Sequence, residues 1–216
     1  MDFEQQRHNM VEGQIRPNKV TDEAVIAAIQ KTPRELFVPK TRRGIAYSDA
    51  PLKAGEGRYL MPPMVIARLL DALTIEPDNV ALVIGAGSGY EAALLGRLAD
   101  AVVVVDNNPT LVAQVTDRLA AVDLDAVAVV EGDMTAGLPR QGPFDVILFN
   151  GAVAEAPRAI LDQLADGGRA VAVVRHVGVG RATLFTRIGD TITKIEVFDA
   201  NTPPLPGFEP KSTFVF

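Results

Sequence analysis

The chain contains no cysteine and no tryptophan, and only two histidines, His8 and His176. Without cysteine there is no disulfide, no thiolate nucleophile and no thiolate metal site. With the two histidines far apart, a transition-metal centre is not expected, and solvated or capping roles suit both. Long apolar runs are missing too: none approaches the ~20 residues that cross a bilayer. The opening MDFEQQRHNM is too polar for a secretory leader. A cytoplasmic location and no membrane partner are therefore expected. A formal net charge of −6 argues against a broad nucleic-acid surface. What is present is 216 residues, 48% of them hydrophobic, enough for one α/β domain with a single large core and a short extension.

The most informative stretch is VALVIGAGSGYEAALLGRLADAVVVVD, from Val80 to Asp106. An apolar run ends in glycines at alternate positions, Gly85, Gly87 and Gly89. A helix-forming segment follows, then a second apolar run that stops at an acid. Such a turn brings backbone N–H groups and a helix N-terminus against a ligand with no side chains in the way. Asp106 lies 21 residues beyond Gly85, close to the ~20-residue spacing at which an acid meets a ribose in nucleotide-binding βαβ units. The third small residue of the dinucleotide fingerprint is replaced by Tyr90, and no lysine completes a P-loop. The tighter turn suits a cofactor without phosphates, such as S-adenosylmethionine; a purely structural turn is the alternative.

Elsewhere, strands and helices alternate. Helices are expected over 22–31, 63–73, 89–99, 109–121 and 154–165, and strands over 80–84, 101–105, 126–130, 144–149 and 169–174. Residues 3–15 form a weaker amphipathic segment, and 33–63, with five prolines, reads as loop. Alternation over 181–188 and 191–198 around Gly189-Asp190 reads as a hairpin. Asn201 to Pro210, with four prolines, reads as an extended loop before a last strand at Ser212–Phe216. Nearly continuous Val, Ile and Ala in the strands implies a sheet covered on both faces. The expected fold is α/β, a Rossmann-like doubly wound seven-stranded sheet with a C-terminal antiparallel hairpin and an N-terminal helical extension. Residues 1–75 form the extension and substrate-side loops, and 76–216 the cofactor-binding domain.

TPRELFVP (32–39), AYSDAPLKAGEGRYL (46–60), VIGAGSGYEAALL (83–95), EGDMTAGLP (131–139), PFDVILFNGAV (143–153) and ILDQLADGGR (160–169) together resemble the protein-L-isoaspartate O-methyltransferases. These are class I S-adenosylmethionine-dependent methyltransferases. The resemblance implies methylation of isoaspartyl carboxylates in damaged proteins, with S-adenosyl-L-methionine as cofactor, and the acidic net charge leaves no nucleic-acid partner expected. It places the cofactor's amino-acid end on Gly85, Ala86, Gly87, Ser88 and Gly89, and its ribose on Asp106 with Asn107. The adenine motif falls on Asp133 and Met134, where Asp133 is either a ligand or a turn residue. Asn150, at a strand end, is either a ligand or a turn amide.

Departures from that family concentrate at the acceptor side. Its Gly-Gln-Thr-Ile-Ser-Gln-Pro becomes Gly57-Arg58-Tyr59-Leu60-Met61-Pro62-Pro63, so Met61 stands at the serine usually given the catalytic role. Val83 replaces an acid, and Asn150 a small hydroxyl residue. A carboxylate nucleophile is already ionised near neutral pH and needs positioning more than a base. Losing one orienting hydroxyl then costs on the order of 1 kcal/mol, more if a charge-assisted bond is lost. Arg58 or Tyr59 can supply a replacement contact. A different acceptor, or a catalytically inactive cofactor-binding homologue, are the alternatives. Arg7, Gln14, Arg16 and Asn18 are candidates for lining a pocket from the N-terminal segment, against plain surface placement.

Overall fold

The computed structural model describes residues 2–124, 126–175 and 177–210. His176 and the expected last strand at Ser212–Phe216 lie outside the described residues. Asp2 caps α1 (Phe3–Met10), which runs into a wider helical turn over Val11–Ile15. Asp22 caps α2 (Glu23–Lys31), accepting from the Ala24 and Val25 amides. Two short 3-10 segments, Arg34–Phe37 and Lys40–Ile45, lead into a hairpin of β1 (Leu52–Gly55) and β2 (Arg58–Leu60). Pro63 opens α3 (Pro63–Leu73), where its missing N–H costs nothing.

β3 (Val80–Ile84), α4 (Tyr90–Leu95), β4 (Ala101–Asp106), α5 (Pro109–Ala120) and β5 (Ala128–Glu131) follow in turn. β6 (Phe144–Val153), α6 (Arg158–Leu161), β7 (Leu164–Val174), β8 (Gly180–Ile188) and β9 (Thr191–Ala200) complete the order. The seven-stranded sheet runs β5-β4-β3-β6-β7-β8-β9. It is parallel from β5 to β7, and β8 and β9 form the antiparallel hairpin at one edge. The expected doubly wound sheet, reversed hairpin and N-terminal helices are all present.

Successive strands are added outward from β3 to one side (β4, β5) and from β6 to the other, and ligand crevices form outside the carboxyl ends of strands at such a switch. Alternate residues face opposite layers. Ala81 and Val83 join the larger core with α2, α3, α4 and α5, while Leu82 and Ile84 join a smaller one with α6, Leu205 and Phe208. The smaller core depends on a one-turn helix and on the 201–210 segment.

Several boundaries differ from expectation for physical reasons. The proline-rich stretch holds the β1–β2 hairpin, because Gly55, Glu56 and Gly57 all adopt positive φ and reverse the chain. The helix expected over 154–165 is only Arg158–Leu161. Pro157 has no N–H to extend it backwards, and Leu164 already pairs with Phe144 in the sheet. α4 stops at Leu95 rather than 99, and β5 begins at Ala128 rather than 126.

Candidate functional site

Gly85, Gly87 and Gly89 take φ of 90°, 56° and 91°, a left-handed run that only glycine adopts without strain. The turn is tied down by Gly85 N to the Val105 carbonyl at 2.9 Å and by Gly89 N to the Ala86 carbonyl at 2.9 Å. The Ser88 hydroxyl accepts from the Tyr90 amide, and Ser88 is fully buried. Tyr90, where the dinucleotide fingerprint wants a small residue, turns into the larger core. Its ring meets Phe37 edge-on at 5.5 Å, and the Arg34 guanidinium lies 4.8 Å from the ring centre. Burial pushes its phenol up to about 12.

Asp106 is fully buried and saturated with donors. Oδ2 accepts from the Ala86 amide at 2.8 Å and from Arg58 Nε at 3.1 Å. Oδ1 accepts from Arg58 Nη2 at 2.7 Å and from the Asn108 amide at 3.0 Å. Arg58 Nη2 also donates to Asn107 Oδ1 at 3.0 Å and lies 3.9 Å from the Met134 sulfur. Arg58, Asp106, Asn107 and Met134 are thus brought together. Asp133 stands apart: it is exposed, and its Oδ1 accepts from the Thr135 hydroxyl and amide, which hold its carboxyl below the usual range. That geometry is the turn role.

Asn150 closes the glycine turn. Its Nδ2 donates to the Gly85 carbonyl at 3.1 Å and to Glu91 Oε2 at 3.3 Å, and its buried Oδ1 has no partner among the described residues. A Cβ on Gly87 would run into Asn150 Nδ2, and one on Gly85 would fall 2.6 Å from Leu205 Cδ1. The bare backbone therefore faces the chain's own side chains. Leu205 is held there by its amide to the Ala152 carbonyl at 2.7 Å and by the Ala152 amide to the Pro203 carbonyl at 2.8 Å.

Between Arg58, Tyr59, Asn150 and the 202–206 segment remains a cavity of about 10 Å³. That is roughly one water's worth of space, against the ~300 Å³ or more of small-molecule pockets. The residue types suit S-adenosylmethionine, and in this structure Arg58, Asn150 and Leu205 take up the space beside Asp106 and the glycine turn.

On the acceptor side, Tyr59 lines that cavity and is half-buried. Met61 is only 1% exposed, and its side chain belongs to the larger core. Its amide donates to Glu91 Oε1 at 3.2 Å, and its carbonyl accepts from Arg34. Val83 is likewise core. Sequence reasoning missed Glu91, a fully buried acid whose carboxyl burial pushes up, with Arg34 and the Met61 and Asn150 donors pulling back. The signal was an acid inside the apolar run YEAALL. It also missed Leu205, for which no local signal exists.

Of the N-terminal candidates, Arg7 and Gln14 converge on Tyr47. Arg7 Nη1 donates to the Tyr47 hydroxyl at 3.2 Å, and Gln14 Nε2 to its carbonyl at 2.9 Å. Tyr47 in turn donates to Glu35, and burial raises its own phenol. Arg16 pairs with Glu12 and Glu23 at the surface, and Asn18 donates to the Gln14 carbonyl. Among the described residues no group of acids and histidines is placed to hold a metal, and no helix is long and apolar enough to cross a membrane.

The fold and the glycine turn at its switch point define a class: the Rossmann-like methyltransferase fold. A solved protein-L-isoaspartate O-methyltransferase superposes with a TM-score of 0.81 at 22% identity, covering 94% of this chain and 67% of that one. A Plasmodium falciparum protein assigned to the same enzyme type, solved in complex with S-adenosyl-L-homocysteine, gives 0.78 at 18% identity over 95% and 98%. The sequence model of the protein-L-isoaspartate(D-aspartate) O-methyltransferase family matches residues 5–200, and the chain belongs to that family. A Methanoculleus marisnigri protein-L-isoaspartate O-methyltransferase is 43% identical over 78% of this chain and 77% of its own length. One from Roseiflexus castenholzii is 38% identical over 96% and 94%.

Proposed function

We propose that the chain is an S-adenosylmethionine-dependent O-methyltransferase that esterifies isoaspartyl carboxylates in damaged proteins in the cytoplasm. The observation that carries this reading is the family match over residues 5–200, with the glycine turn and Asp106 at the sheet's switch point. In this reading residues 76–216 form the cofactor-binding domain. Gly85 to Gly89, Asp106, Asn107, Met134 and Asn150 surround the cofactor, and Asp133 caps the turn beside Met134. Residues 1–75 supply the substrate side, where Arg58 and Tyr59 are the donors for an ionised acceptor and Met61 acts through its backbone. Because the crevice is filled by Arg58, Asn150 and Leu205, these side chains must withdraw before any cofactor is held.

Incubation of the full chain with an isoaspartyl peptide and methyl-labelled S-adenosylmethionine is expected to give a base-labile ester that releases labelled methanol. Absence of transfer above the rate of a normal aspartyl peptide would contradict the reading. A second reading, a family member without turnover, is favoured by the filled crevice and by Met61 in the core. It predicts no labelled product with any acceptor.

A further inference from the structure

Asp106 accepts four hydrogen bonds, from Ala86 N, Asn108 N and two nitrogens of Arg58. A carboxylate has about four lone-pair sites, so a ribose hydroxyl can donate to Asp106 only if a present donor leaves. The two amides belong to the glycine turn and to the cap of α5, and cannot leave without unmaking both. The guanidinium can. It reaches Asp106 from β2, a three-residue strand whose hairpin turns through Gly55, Glu56 and Gly57 at positive φ. From this geometry we infer that Arg58 is an internal competitor of the cofactor and the residue that sets the chain's affinity for a nucleoside at Asp106.

The inference rests on the methyltransferase reading and deepens it. The two Arg58 nitrogens engage different carboxylate oxygens, a fork that is stronger than a single charge-assisted bond. Arg58 is 6% exposed, so its guanidinium takes up little solvation while the pair is intact. A site competent only when this pair is broken binds with an apparent affinity reduced by the fraction of molecules in the broken form. Asn107 and the Met134 sulfur, expected to face ribose and adenine, are in contact with the same Nη2 and are released by the same movement. Asp106 keeps both amide donors when Arg58 is replaced, so a neutral substitution does not strand the carboxylate.

The test is calorimetric titration of the full chain with S-adenosylhomocysteine, comparing wild type with Arg58→Gln and Arg58→Lys. Arg58→Gln is expected to bind about tenfold tighter or more, and Arg58→Lys to lie between, since a lysine restores charge without the fork. Equal or weaker binding by Arg58→Gln overturns the inference while leaving the methyltransferase reading intact. Absence of binding in all three chains overturns both. A wild-type measurement stands independently of how the variants fold: the Arg58 Nε–H resonance is expected to shift on saturation with S-adenosylhomocysteine. An unmoved resonance at saturation overturns the inference.

Discussion

Glu91 shows how one side chain links the turn to the acceptor side. Its carboxyl accepts from the Met61 amide and from Asn150, and it is fully buried beneath the glycine turn. Burial raises its folded-state pKa above the unfolded value of ~4.3, so the fold holds its proton more tightly than the open chain does. The resulting stability is complete below that unfolded value and is lost as pH rises through the raised one. Glu91→Gln removes the ionisation and keeps an amide oxygen for the Met61 N–H. Chemical denaturation of the variant is expected to be less pH-dependent than that of the wild type between about pH 5 and 8. A variant that loses stability more at the upper end than at the lower would show that the ionised acid is needed. The acid itself was visible in the sequence, but its role was not, because its partners lie 30 and 59 positions away.

The elements that read most clearly from sequence are those whose pattern is local. β3, β4, α5 and the β8–β9 hairpin each carry their own apolar period and stop signals, and each falls within a residue or two of expectation. α6 and the β1–β2 hairpin do not, for opposite reasons. α6 has helical periodicity over 154–165 but is cut short by the pairing of Leu164 with Phe144, while the β1–β2 hairpin is only seven residues of strand hidden among prolines and glycines. The 201–210 segment reads as an extended loop and in the structure also turns at 206–207, and nothing local indicates where it runs. It lies parallel to Ala152 through Pro204 and covers both Gly85 and Gly151. Leu205, 1% exposed, is its anchor. Leu205→Ala is expected to lower the denaturation free energy by about 2–4 kcal/mol through the cavity it leaves over Gly85. A loss of only a few tenths would mean that the segment does not close the smaller core.

At the scale of the whole molecule, the sequence carried the architecture and the family, because the strand pattern and six separate motifs agree with one another. It did not carry the state of the crevice. That state is decided by three residues brought from three parts of the chain: Arg58 from the β1–β2 hairpin, Asn150 from within β6 at its irregularity between Leu148 and Ala152, and Leu205 from beyond the sheet. The glycine turn has the form of a cofactor loop, and here the same absence of side chains lets the protein pack against itself. The central claim is that one set of residues serves both purposes and that the cofactor must displace the occupants. Crystallography of the full chain grown with S-adenosylhomocysteine tests this most directly. The account predicts the ribose on Asp106, with Arg58 withdrawn from that carboxylate and Leu205 moved off Gly85. A structure with S-adenosylhomocysteine bound while the Arg58–Asp106 pair remains intact would contradict it.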